Sequence, residues 1–180
     1  MFDPTAFENM KVVLEGAIYD RDLIGDILVI GRDDIVNLST MARKYKIELE
    51  MKESGSTILV TGGFELYASL ENLSSELLQG HLNEAYSGCA VDLFISIPRK
   101  LNSIEVDSIS KELENVWGSQ RTITLTTSEM VSKKEQPLSN STFQISFGRL
   151  IKEEQMDDLE DMVEYLLQSL QIVEDSVNHR

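Results

Sequence analysis

Between residues 44 and 52 the chain alternates with a period of two. Tyr45, Ile47, Leu49 and Met51 fall on one side, and Lys44, Lys46, Glu48, Glu50 and Lys52 on the other. That period belongs to a strand with one dry face and one wet face. It excludes an all-helical bundle, and it demands a second layer to cover the apolar side. The same alternation returns in Val91, Leu93, Ile95 and Ile97, a strand ended by Pro98 that carries Phe94 on its opposite face. It returns again in Ile123 and Leu125 among Thr122, Thr124 and Thr126, and in Phe143, Ile145 and Phe147 around Gln144 and Ser146. Ile27 to Ile30 reads as a further short buried strand, followed by a turn at Gly31-Arg32-Asp33-Asp34.

The turn chemistry completes a hairpin over residues 44–62. Ser54-Gly55-Ser56 supplies the turn, Thr57 to Thr61 the returning strand, and Gly62-Gly63 its end. The polar stretch from Ser128 to Ser141, with Lys133-Lys134 and Pro137, reads as the longest loop.

Helical spacing fills the remainder. Asp3-Pro4 is a good helix opening, and Phe7, Met10, Leu14, Ala17 and Ile18 predict a helix over about 4–22, interrupted at Gly25. Leu66, Leu70, Leu73 and Leu77 predict a second over 64–79, stopped by Gly80; Ile104, Ile109, Leu113 and Val116 predict a third over 104–116, with Gly118 behind it. From about Lys152 to Val177, Met156, Leu159, Val163, Leu166, Leu170, Val173 and Val177 keep a three-four spacing throughout. Such a seam suits a coiled coil, but Met162 and Leu167 widen the stripe as on a helix laid over a sheet. Packing within the domain and pairing with a partner helix both remain open on sequence grounds. The expected fold is one α+β domain over residues 1–180. It has a mostly antiparallel sheet of five or six strands, helices on one face, and a long C-terminal helix.

Charge narrows the partners. Thirty-one Asp and Glu against 16 Lys and Arg give −15, a field that repels phosphate backbones and anionic lipid. Nucleic acid and membrane surfaces are therefore not expected partners. No aliphatic run exceeds the four residues Ile27 to Ile30, and Met1-Phe2-Asp3-Pro4 has neither the basic nor the apolar region of a secretion signal. With Cys89 as the sole cysteine, a soluble protein of a reducing, bacterial-type cytoplasm is expected, its thiol a small buried hydrophobe.

No catalytic motif, zinc spacing, calcium loop or phosphate loop occurs, so no catalytic residue, metal or cofactor is assigned. The expected function is a non-enzymatic interaction or regulatory module. Its candidate partner surfaces are the acidic Asp157, Asp158 and Asp161, suited to a basic protein, and the uncharged Thr122, Thr124 and Thr126, suited to a homodimer contact through the sheet face. The alternative is a small-molecule-binding protein or enzyme. In that reading Gly62, Gly63, Arg149 and His81 would line an anion site, because glycine at a strand-to-helix junction can present N–H groups.

Overall fold

The computed structural model describes residues 6–52, 57–77, 86–132 and 136–178. In chain order it contains α1 (Ala6–Ile24), β1 (Ile27–Asn37), β2 (Ala42–Met51), β3 (Thr61–Ala68), α2 (Leu70–Leu77) and β4 (Cys89–Ile97). α3 (Ser103–Trp117), β5 (Thr122–Met130), β6 (Leu138–Ile151), a 3-10 turn (Glu153–Gln155) and α4 (Asp158–Asn178) follow. All neighbouring strands run antiparallel in one six-stranded sheet of order β1-β2-β3-β4-β6-β5. The α+β class and the antiparallel sheet are as the sequence predicts, with the strand number at the upper of the two expected values.

One face of the sheet is dry. Tyr45, Ile47 and Leu49 of β2, Phe64 and Leu66 of β3, Val91, Leu93, Ile95 and Ile97 of β4, and Phe143 and Ile145 of β6 are all buried. Against them lie Phe7, Met10, Leu14 and Ile18 of α1, Ile109 and Leu113 of α3, and the α4 seam of Leu159, Val163, Leu166, Leu170, Val173 and Val177. The seam is thus consumed inside the fold. Trp117 locks α3 to α4: its indole N–H donates to the Ser169 hydroxyl at 2.9 Å, and its ring meets Phe147 and Tyr165 edge-on. At the start of α3, Asn102 and Glu105 form a reciprocal capping box, and Arg99 grips Glu105 with both guanidinium nitrogens at 2.9 and 3.0 Å. Cys89 is fully buried, its Sγ 3.7 Å from the Met10 sulfur. No helix among the described residues is long and apolar enough to cross a membrane.

The structure corrects four boundaries. Gly31 to Asp34 is not a turn: β1 continues through it to Asn37 with a bulge between Val29 and Gly31. The returning strand is not Thr57 to Thr61, and Gly62-Gly63 does not end it. β3 begins at Thr61 and runs to Ala68, replacing the first five residues of the predicted 64–79 helix. Residues 66 and 70 share a helical face, but Gly62, Phe64, Leu66 and Ala68 also share a strand face, and pairing to both β2 and β4 decides for the strand. Half of the expected long loop is ladder, since β5 and β6 stay paired out to Met130 and Leu138. Finally, β6 passes through Gly148-Arg149 to Ile151, because Leu150 and Ile151 pair with Ala90 and Cys89. The α-helix therefore starts at Asp158 rather than near Lys152. The Asp3-Pro4 opening, the Ser54-Gly55-Ser56 turn, Gly80 and Lys133-Lys134 lie outside the described residues.

Candidate functional site

Among the described residues, no helix covers the wet face of the sheet. Its twist makes a trough of about 1030 Å³ running from β2 across to the β5–β6 ribbon. Phe94 forms its floor, an aromatic at an outward position of β4 between Asp92 and Ser96. It lies there because Gly63 stands opposite it on β3. A Cβ at Gly63 would sit 2.7 Å from the Phe94 ring and 2.0 Å from the Ile47 carbonyl oxygen. Lys46 covers the ring, its Nζ 4.4 Å from the centroid, a favourable cation–π placement.

The β2–β3 end of the trough is charged and internally bridged. Lys44 pairs with Glu65 at 2.6 Å and Lys46 with Glu48 at 3.1 Å, while the Thr61 hydroxyl donates to Glu48 at 3.1 Å. Toward β6 the polar groups are neutral or satisfied. The Gln144 amide donates to Asp92 at 3.0 Å, and the Ser96 and Thr142 hydroxyls are 2.8 Å apart. The far rim sets exposed apolar side chains beside the polar Ser128, Ser139 and Asn140. The β5–β6 ribbon continues beyond the last β4–β6 pair, Ile97 with Ser141, and so lifts Met130 and Leu138 into solvent. They are 69% and 65% exposed, with Leu59 at 49% beside the same trough. The site thus couples a partly apolar rim, an aromatic floor and a bridged ionic wall. That arrangement suits contact with an amphipathic surface.

A smaller cleft of about 490 Å³ separates α1 from α4, floored by Val12, Gly16 and Ala17 and edged by Asp20, Glu160 and Glu164. Arg21 spans it, bonded to both Glu164 and Asp26.

The predicted anion site is not assembled. Gly62 and Gly63 lie inside β3, at no helix entrance. Gly62 instead lets α4 approach, since a Cβ there would sit 2.9 Å from Leu170 and 3.3 Å from Leu166. Arg149 is exposed at the opposite end of β4, donating to the Gln155 side chain at 2.8 Å. His81 lies outside the described residues. The two predicted partner sets fall on opposite faces. Asp157, Asp158 and Asp161 are exposed around the start of α4, on the helix side, whereas Thr122, Thr124 and Thr126 are exposed on the trough side. Sequence reasoning missed Phe94, Lys46, Leu59, Met130 and Leu138. An aromatic at a polar-face strand position was the available signal for the first of these. Comparison with protein-family models, with curated proteins and with solved structures found no match, so the functional reading rests on this geometry.

Proposed function

We propose that this chain is a non-enzymatic interaction or regulatory module of the cytoplasm that receives a polypeptide partner in the trough. The observation that carries the reading is the open sheet face itself, with Phe94 seated on Gly63 and flanked by the exposed Leu59, Met130 and Leu138. Exposed apolar side chains gathered at the rim of a concave surface are what interaction sites display. Among the charged residues on the trough face Glu48, Glu65 and Asp92 outnumber Lys44 and Lys46, so a partner bearing Lys or Arg around an apolar centre fits it best. The acidic start of α4 is on the other side of the molecule and takes no part in this reading.

The test is a selection of displayed peptides on the immobilised protein, scored again on a Met130→Asp/Leu138→Asp variant and on Phe94→Ala. The two rim residues are exposed, so the double variant keeps its fold, which circular dichroism checks. Selected peptides are expected to be basic and amphipathic and to bind either variant at least tenfold more weakly. Peptides indifferent to both variants would overturn the trough as the site.

A further inference from the structure

β1 and β5 are the two edges of the sheet, and they are built in opposite ways. β1 has a bulge between Val29 and Gly31 followed directly by Arg32, Asp33 and Asp34. Bulges and charges are the devices that stop an edge strand from pairing with another chain. β5 has neither. Its nine residues pair with β6 in unbroken register, Thr122 to Ser128 carry no charge, and no strand lies on its outer side among the described residues. Its inward Ile123 and Leu125 are only half-buried. In a chain of net charge −15, two copies can approach closely only where charge is missing.

The ends of the uncharged stretch supply a register. Arg121 and Glu129 flank it, and both share the parity of Ile123, Leu125 and Thr127, the helix-side face of the strand. The Arg121 guanidinium lies 4.5 Å over the Phe147 ring on that side. Let β5 meet itself antiparallel about a twofold axis at Leu125. Leu125 then faces Leu125 of the second copy, Ile123 faces Thr127, Thr124 faces Thr126, and Thr122 faces Ser128. At both ends Arg121 of one copy meets Glu129 of the other. Each face stays with its own kind, as strand pairing requires, and facing threonines and opposite charges both favour the pair. Moving the axis to Thr126 sets Ile123 against Glu129. Moving it to Thr124 sets Arg121 against Thr127 and Glu129 against Ser119, so neither charge meets its opposite.

We propose that β5 is a self-recognition edge through which two copies of this chain pair antiparallel about Leu125. The product is one continuous sheet with both troughs open on the same side. This holds whatever occupies the trough.

Light scattering over a tenfold concentration range tests it first: a mass approaching twice 20.3 kDa is expected, and a constant monomer mass would overturn the proposal. Arg121→Glu and Glu129→Arg should each weaken the dimer at least tenfold, by placing like charges opposite each other. The double swap should restore it, and a double swap no tighter than the single variants would overturn the assigned register. Cysteine placement checks the axis independently. Facing strand residues lie within disulfide reach and diagonal ones do not, and native Cys89 is buried. Leu125→Cys should therefore cross-link to its copy under mild oxidation, and Thr124→Cys should not. The reverse outcome would sink the proposal.

Discussion

Asp34 is the carboxyl whose ionisation the fold lowers furthest, to about 2. Arg43 donates to both its carboxylate oxygens, at 2.9 and 2.7 Å, and Lys11 adds a bond at 2.9 Å. Arg43 also reaches Glu8, and its guanidinium lies 4.9 Å over the Phe7 ring. The network ties the β1–β2 hairpin to α1. Hydrogen bonding from Arg43, outweighing partial burial, lowers the Asp34 carboxyl from its ordinary 3.8 to about 2; Glu8 is lowered chiefly by Lys11. A carboxyl with a depressed folded pKa contributes stability that is present above its unfolded pKa and fades as pH falls through the folded one. Asp34→Asn should therefore lower Tm at pH 7. The site is partly solvated and screened, so the expected loss is about 1 kcal/mol or less, or ~2–4 °C for a chain of this size. Thermal melts of both proteins from pH 7 downward check the sign. The gap should hold to about pH 4 and close toward pH 2, and a gap that widens in acid would contradict the assignment. Nothing in the spacing of Arg43 and Asp34 announces the contact. It exists because Asp34, expected in a turn, stands in a strand beside β2 and under α1.

At the scale of elements, β3 is where sequence and structure part most. Leu66, Leu70, Leu73 and Leu77 fit a helix, and pattern alone had no means to rank that fit against the strand face of Phe64, Leu66 and Ala68. The arbiter is tertiary: β3 fills the gap between β2 and β4, and each of its eight residues pairs with β2. Its paired glycines are then spacing devices, one for each face. Gly62 admits Leu166 and Leu170 of α4, and Gly63 seats Phe94. Gly62→Ala is expected to cost roughly 1–3 kcal/mol, the usual range for overpacking. Gly63→Ala should cost more, because its Cβ would meet the Ile47 carbonyl at 2.0 Å, a backbone atom that cannot rotate aside. Denaturant melts should rank them in that order. Where one period was unambiguous, as in β2, β4, α3 and α4, the elements were legible from residue spacing. The trough was not. It arises from pairing β4 beside β3 and from the overhang of the β5–β6 ribbon, and neither is encoded in any local stretch.

For the molecule as a whole, the dominant long-range term is its own charge. Every one of the 16 basic residues could be paired and 15 acidic ones would still be left over. Such an excess destabilises the compact state by self-repulsion, and it opposes any contact between copies. Added salt acts on two terms of opposite sign. It weakens ion pairs such as Lys11–Asp34, Arg43–Glu8 and Lys44–Glu65, and it relieves the repulsion among the unpaired carboxylates. The first term is short-ranged, with partners about 3 Å apart that are poorly screened. The second acts across the protein, over distances comparable with the Debye length, which falls from ~30 Å at 0.01 M to ~8 Å at 0.15 M. Relief should win, so Tm should rise by a few degrees between those two concentrations. Sodium chloride is the right salt, because sulfate would add preferential exclusion of its own. Pairing through β5, as proposed, would also raise Tm with protein concentration, so the melts belong at fixed concentration, with Arg121→Glu as the weakened-dimer control. The control should show the same upward slope. A Tm that falls with chloride in both proteins would mean that the bridged networks on the trough wall and the β1–β2 hairpin, rather than net charge, set the stability of this fold.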